Sequence, residues 1–310
     1  MNRSQVRAAS CRAILIGILT LLASFLPGDA AAKPNVVATV PALGLLAEAV
    51  GGEHINVGVL TRSGQNPYIF FPRPSHVDML EKADLLFSAG FGLEGGWLPS
   101  LLRLADNPRV MPGQIGYMTG EEAIQVMGTI RGMTSKSLKT WSPDENPFWW
   151  LDPQNGIKAA SILAIRLGEI DPVHSEEYLS RAAALRQKIL RALPDWKDRM
   201  RILKGPVLTY HNTYNYFIKA MDIELAGFIE PRSGIEPSTR HLSKLIEQCK
   251  GKQIAMIWVE PYHEGAIAKR LSKESGIRLI TIPDGVVGSG PNGYIAMFDT
   301  IVLKIERWSQ

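Results

Sequence analysis

Short apolar segments alternate with longer amphipathic segments along most of this 310-residue chain. Residues 36–40, 56–60 and 85–88 have the length and the apolar content of buried strands. Segments with helical spacing of their apolar residues separate them, such as residues 43–50 and 74–82. Because strands that alternate with helices favour parallel pairing, the pattern predicts an α/β fold with mainly parallel sheets.

A long helical segment divides this alternation into two halves. It covers about residues 174–203, and we expect Pro194 to interrupt it. After Gly205-Pro206 the pattern resumes, with strands expected at residues 207–209, 225–228, 255–259 and 278–281 and helices between them. The sequence therefore predicts two lobes, each a mainly parallel sheet flanked by helices, joined by one long rigid helix. The expected boundaries are residues 33–172 for the first lobe, 173–203 for the connecting helix and 204–310 for the second lobe.

The first 32 residues have the order of a secretory signal peptide. Arg3, Arg7 and Arg12 are followed by an apolar run and then by alanines at positions 30–32. The run is about 14 residues long, which is short for a membrane span of roughly 20 and disfavours the alternative of a permanent anchor. Cys11 precedes the run, on the wrong side for a lipid-modified cysteine. We expect cleavage near Ala32 and an exported mature chain.

Charge and cysteine content exclude several classes of protein. Loss of three arginines and one aspartate with the signal peptide lowers the formal charge from +4 to +2, which is too mild to indicate a nucleic-acid partner. Only Cys249 remains in the mature chain, so an internal disulfide is impossible, and its surroundings predict a buried apolar role on a helix. Because nucleophile and base residues do not occur in a catalytic pattern, we expect no enzymatic activity.

A glycine motif at residues 90–95 has the spacing of a dinucleotide-binding loop. Its sequence is Gly-Phe-Gly-Leu-Glu-Gly, and it lies between a predicted strand and a helix. Glu94 would face a pyrophosphate with like charge, and the next strand, expected near residues 109–111, lacks a terminal acidic residue. We therefore expect no nucleotide cofactor.

Tyr68, His211 and Asp284 each follow a predicted strand. Ligands of open α/β sheets bind beyond the carboxyl ends of the strands, so these residues indicate a site between the lobes. His211 offers an imidazole nitrogen suited to Zn, Mn or Fe, and Asp284 offers a hard oxygen. The alternatives are a hydrogen-bonded histidine at a strand end and an aspartate in a turn before Gly285.

Tyr68 presents a different chemistry from the other two residues. The pKa of a tyrosine hydroxyl is ordinarily near 10, and it ligates metals well only as phenolate. Fe(III) would lower that pKa more readily than Zn(II) or Mn(II). The alternative is an aromatic packing residue beside Phe70 and Phe71.

Ordered motifs over about residues 36–308 resemble those of one family. They are Asn66-Pro67-Tyr68 with Phe71-Pro72-Arg73-Pro74-Ser75, the turn Gly92-Leu93-Glu94, Asn146-Pro147-Phe148-Trp149-Trp150-Leu151-Asp152-Pro153, Tyr210-His211 and Pro283-Asp284. Together they resemble the zinc/manganese-binding periplasmic solute-binding proteins of metal ABC importers. In that family four such segments each supply one metal ligand, so the resemblance implies a binding protein with a two-lobed α/β fold.

Two of the four ligand positions depart from the family pattern. Tyr68 stands where the family has histidine, and Phe148 cannot ligate, so we interpret it as a wall residue of the site. His211 and Asp284 remain good ligands. With Tyr68, they form the predicted metal site.

Other residues are candidates for completing the coordination shell. His263 follows another predicted strand end and could approach the site, as could Glu260 or water. We expect Glu260 to act as the partner of a ligand or at a helix terminus. His76 is predicted to be a solvated helix residue, and His54, His174 and His241 are predicted to lie on the surface.

The resemblance implies the substrate-binding component of an ABC importer. Its cargo would be a divalent or trivalent transition-metal ion (Zn, Mn or Fe), held between the lobes and delivered to an inner-membrane permease with its ATPase. The protein would be a periplasmic monomer with no nucleic-acid partner. The alternative keeps this transport role but makes the cargo a metal chelate or small organic solute, because Tyr68 and Phe148 replace two ligands. The long helix predicts only a small rearrangement on loading.

Overall fold

A computed structural model describes residues 32–127, 146–230, 235–250, 253–283, 285 and 289–309. Residues 1–31 of the predicted signal peptide, and Asp284 of the predicted metal site, lie outside the described residues.

The first sheet has four parallel strands in the order β2-β1-β3-β4. They are β1 (Asn35–Ala38), β2 (Asn56–Val59), β3 (Leu85–Ser88) and β4 (Tyr117–Thr119), with α1 (Pro41–Gly51), α2 (Pro74–Glu81), α3 (Leu98–Ala105) and α4 (Gly120–Met127) between and after them. All four residues of β3 are buried, as its apolar sequence predicts. The sheet confirms the predicted parallel α/β arrangement of this half.

The strand predicted near residues 109–111 is wrong. Pro108–Val110 forms a 3₁₀ turn instead, and β4 follows seven residues later. The amide side chain of Asn107 donates to the carbonyls of Leu80 and Ala83 and accepts from the backbone N–H of Arg109. These hydrogen bonds hold the segment as a capped turn, because its polar groups are already satisfied without a strand partner.

The second sheet repeats the strand order of the first. The order is β6-β5-β7-β8, again all parallel. The strands are β5 (Val207–Thr209), β6 (Leu225–Phe228), β7 (Met256–Val259) and β8 (Leu279–Thr281), and the helices of this half are α7 (Asn215–Ala220), α8 (Thr239–Lys250), α9 (Ala266–Ser275) and α10 (Gly293–Ser309). Cys249 is buried on α8 beside Leu242 and Ile246, which confirms its predicted apolar role.

Two long helices connect the sheets. They are α5 (Pro153–Ile170) and α6 (Ser175–Met200). The break predicted at Pro194 is wrong, since α6 continues through this residue. The whole helix has 26 residues and is about 39 Å long. Ile189 and Trp196 are buried on either side of the proline, so packing offsets the hydrogen bond that proline cannot donate. Helix α6 packs along α1, α5 and α10 rather than standing free between the lobes.

The last helix returns to the first half of the chain. The hydroxyl of Tyr294 donates to the Trp150 carbonyl at 2.6 Å, and Gly293 lies so close to Leu45 that a β-carbon would clash. One apolar core consequently contains residues of both sheets, including Val36 and Trp258. Among the described helices, none has the length and apolar content needed to cross a bilayer.

Candidate metal centre

Polar side chains collect where the strands of the second sheet end. His211 follows β5, Glu230 follows β6 and Glu260 follows β7. Because these three strands are parallel neighbours, their carboxyl ends meet at one edge of the sheet. The loop after β2 brings Tyr68 to the same place, since its ring centroid lies 6.1 Å from that of His211.

His211 is buried, with 6% of its surface exposed. Its Nδ1 atom lies 2.7 Å from Oε2 of Glu230. The carboxylate accepts a hydrogen bond from Nδ1–H. This bond fixes the tautomer in which Nε2 carries the lone pair that binds a metal. The position matches the sequence prediction of an imidazole at a strand end, and Glu230 gives that imidazole a defined orientation.

Glu230 is the site residue that sequence reasoning missed. It follows a strand, as the other candidates do, and that placement is the signal that could have found it. Its hydrogen bond to His211 joins residues 19 positions apart, and the pairing depends on β5 and β6 lying side by side.

Tyr68 lies at the rim of the site, 38% exposed. The side-chain oxygen of Asn66 accepts a hydrogen bond from the backbone N–H of Tyr68 at 3.0 Å. The indole N–H of Trp97 donates to the Pro67 carbonyl. Burial raises the pKa of the Tyr68 hydroxyl, and the negative charges of Glu230, Glu260 and Glu94 raise it further. Tyr68 is therefore a neutral phenol at physiological pH, a form that ligates metals poorly.

Phe148 forms a fully buried wall of the site. Its ring centroid lies 6.0 Å from that of Tyr68 and 6.4 Å from that of His211. The preceding Asn146 accepts from the Phe148 N–H and donates to the Asn212 carbonyl at 2.6 Å. This bond ties the Phe148 segment to the residue after His211, so the wall belongs to both halves of the chain.

Two described residues near position 284, Ile282 and Gly285, have contacts in this region. The Tyr214 hydroxyl donates to the Ile282 carbonyl at 2.5 Å. Gly285 lines a pocket together with Pro67 and Trp150, which flank Tyr68 and Phe148 in sequence.

His263 lies near His211 after the neighbouring strand. Their ring centroids are 6.4 Å apart, and the His263 ring stacks on Tyr210 at 4.3 Å. Its Nδ1 atom lies 3.0 Å from Oε2 of Glu260. Glu260 is fully buried, and its Oε1 atom accepts no hydrogen bond within the described part of the chain. The structure thus pairs Glu260 with a histidine.

His76 has a local structural role. Its Nδ1 atom accepts the backbone N–H of Arg73 at 2.9 Å, and its ring lies 5.0 Å from that of Phe70. Helix α2 accordingly begins at Pro74, with Arg73 as its N-cap.

The glycine motif encloses a carboxylate. Glu94 is buried and accepts from the Thr39 hydroxyl at 2.5 Å and from the N–H groups of Ala89 and Gly90 at 2.7 and 3.1 Å. Burial raises the pKa of Glu94, and these hydrogen bonds offset part of that effect. The amides that would cradle a phosphate in a dinucleotide loop therefore bind a side chain of the protein itself.

A second histidine–carboxylate cluster joins the 3₁₀ turn Gly52–His54, which follows α1, to the first turn of α6. Ligand atoms of Glu53, His54 and Glu177 lie within 4.8 Å of one another. His54 bonds to Glu177 and stacks on His174 at 3.9 Å, and Arg181 pairs with Glu53. The guanidinium charge opposes a cation here, so this is an ion-pair network. Within this network the side chains of His54 and His174 are 18% and 30% exposed.

Fold and site together define a solute-binding protein with an acidic, histidine-bearing site. Residues 36–307 match the family model described as zinc-uptake complex component A, periplasmic. The match covers most of the chain, and the protein therefore belongs to this family, whose members are substrate-binding proteins and not enzymes.

Three proteins of known class are similar to this chain. The metal ABC transporter substrate-binding lipoprotein ScbA of Streptococcus cristatus is 26% identical over 280 residues, or 88% of each chain. The iron ABC transporter substrate-binding lipoprotein MtsA of Streptococcus pyogenes serotype M1 is 26% identical over 94% of this chain and 95% of its own. The structure of FpvC from Pseudomonas aeruginosa in complex with Mn²⁺ has a TM-score of 0.70 at 21% identity and covers 89% of this chain and 98% of its own. The last likeness confirms the fold.

Proposed function

We propose that this protein captures a transition-metal ion, Zn, Mn or Fe, and delivers it to an ABC permease and its ATPase. The observation that carries the proposal is His211, a buried imidazole backed by the Glu230 carboxylate at the edge where the loops of both halves meet. A histidine whose other nitrogen binds a carboxylate is the usual form of a metal-ligating histidine.

The electrostatics of the site also support a cation. Glu230, Glu260 and Glu94 are the charged groups that raise the pKa of the Tyr68 hydroxyl. Buried negative charge is costly unless a positive charge lies close to it, and a metal ion supplies that charge. A neutral organic solute would not, so the acidic site does not favour the alternative cargo. MtsA, named for iron, and FpvC, solved with Mn²⁺, point the same way.

The proposed ligands are His211 and Asp284, with Tyr68 beside the ion. As a neutral phenol, Tyr68 contributes less than an imidazole would. The proposal further includes export with cleavage near Ala32, a monomeric mature chain in the periplasm, and the lobe boundaries 33–172, 173–203 and 204–310.

Elemental analysis tests the proposal. The mature protein is incubated separately with Zn(II), Mn(II), Fe(II) and Fe(III), passed through gel filtration and assayed for bound metal. We expect about one ion per chain for at least one metal, because the proposed ligands form one site. Absence of retained ion with all four metals would contradict the proposal.

A further inference from the structure

We infer that His263 is a second imidazole ligand of the cargo ion, which compensates for the coordination lost at Tyr68 and Phe148. The inference rests on the proposed function. It adds a ligand from a loop outside the four ligand-bearing segments by which the chain resembles its family.

Position is the first argument. His263 ends the 3₁₀ turn Pro261–His263 that follows β7, and β7 is the direct neighbour of β5 in the sheet. His263 and His211 therefore share one edge, with ring centroids 6.4 Å apart. Two imidazoles on one tetrahedral ion have centroids about 5 Å apart, given a Zn–N distance of about 2 Å. A side-chain adjustment of about 1 Å, common on ligand binding, would bring both rings onto one ion.

Orientation is the second argument. His263 and His211 have the same support, an Nδ1 atom facing a buried glutamate, at 3.0 Å and 2.7 Å respectively. Each glutamate fixes the tautomer with a lone pair on Nε2. Stacking on Tyr210, with an interplanar angle of 15°, further restrains the His263 ring.

The buried charge of Glu260 is the third argument. Its side chain is fully buried, and within the described residues its Oε2 atom contacts His263 while its Oε1 atom accepts no hydrogen bond. A carboxylate in that environment is stabilised by nearby positive charge. A metal ion bound to His263 would supply this positive charge, because the imidazole connects the ion to Glu260.

A second imidazole also changes which metals the site prefers. Imidazole nitrogens suit Zn and Fe, whereas Mn(II) favours sites dominated by carboxylate and water. With His211 and His263 as ligands, the site binds Zn(II) more tightly than Mn(II).

The test compares zinc affinities measured by competition with a chromophoric chelator. His263→Ala and His263→Gln are expected to weaken zinc binding by at least about 10-fold, the loss that follows from disturbing a metal site. His54→Ala is the matched control, because His54 is also a carboxylate-paired histidine, and its affinity should equal that of the wild type. Thermal melts of each apo variant show whether it folds.

X-ray absorption on the zinc-loaded protein separates ligation from a structural role. The imidazole scattering should correspond to two histidines in the wild type and to one in His263→Gln. Unchanged affinity and an unchanged imidazole count in both variants would overturn the inference while leaving the proposed function intact. Failure of the wild type to bind zinc or any other metal tested would overturn both.

Discussion

Three described ligand candidates, His211, His263 and Tyr68, are each oriented by a second residue. Glu230 holds His211, Glu260 holds His263, and Asn66 holds the backbone of Tyr68. A metal ion binds tightly only where its ligands already point at it, since an unsupported side chain loses rotamer entropy on binding. The residues that orient the ligand candidates are consequently as informative about a metal site as the ligand candidates themselves.

Glu230→Gln tests this dependence. Glutamine keeps the shape of the side chain but removes the negative charge that holds the Nδ1 proton, so we expect metal affinity to fall by about 10- to 100-fold. Chelator competition measures the change. The control is Glu247→Gln, an exposed glutamate paired with Lys250 on α8, and equal losses in the two variants would contradict an orienting role for Glu230.

Tyr68→Phe tests the protonation state of the phenol. Folding raises the pKa of Tyr68, so near pH 10, where an exposed tyrosine is half ionised, Tyr68 stays protonated. Above that pH the folded state binds more protons than the unfolded state, and the contribution of Tyr68 makes stability fall as pH rises. The phenolate absorbance of the metal-free protein at pH 10 should therefore be the same in Tyr68→Phe and wild type. A clear loss of absorbance in the variant would contradict the assignment.

At the residue scale, the sequence predicted which ligand candidates follow the strands but did not predict the residues that orient them. His211 and Tyr68 could be located because each follows a predicted strand and lies in a recognisable motif. Glu230 could not, because its role depends on a strand neighbour chosen by sheet order. The proximity of His263 to His211 could not be predicted for the same reason, since it depends on β5 and β7 being neighbours in the sheet.

At the element scale, helix α6 determines how the two sheets are held. One face buries Tyr178, Leu185, Ile189 and Trp196 against neighbouring helices, while Leu179 and Leu190 remain largely exposed. The indole N–H of Trp196 also donates to Asp299 of α10 at 2.7 Å. The buried face of α6 therefore packs against neighbouring helices along the length of the helix.

Trp196→Ala is expected to destabilise the protein by about 3–5 kcal/mol, because it removes a fully buried aromatic side chain from a close-packed core. Leu190→Ala, on the exposed face of the same helix, should change stability by less than about 0.5 kcal/mol. Urea denaturation followed by circular dichroism measures both. Similar small effects for the two variants would show that α6 is not held by this face.

The elements themselves were predictable where an apolar run matched the strand length. The predicted bounds of β3, β5 and β6 are those observed, because each is a short apolar segment between polar or turn residues. Strand β4, a three-residue strand at the sheet edge, was missed. Its strand state comes from pairing with β3, which local sequence does not encode.

At the scale of the whole molecule, the two sheets are parts of one packed structure. The apolar core extends through both, and α10 anchors its first turn on Trp150 and Leu45 of the first half. Repetition of the strand–helix pattern predicted two parallel sheets. The return of α10 could not be predicted, because it depends on contacts between residues more than a hundred positions apart.

This shared core restricts motion on loading. A hinge that swung the lobes apart would expose apolar surface along α6 and α10, at a cost that grows with the area exposed. Small-angle X-ray scattering of the metal-free and metal-loaded protein should therefore give the same radius of gyration within error. A marked compaction on loading would contradict a small rearrangement.

The most direct test of the central claim is anomalous diffraction at the zinc edge from crystals of the zinc-loaded protein. The account predicts one strong peak at about 2.0–2.1 Å from Nε2 of His211, the usual Zn–N distance. A peak located instead among Glu53, His54 and Glu177, or no peak beside His211, would contradict the account.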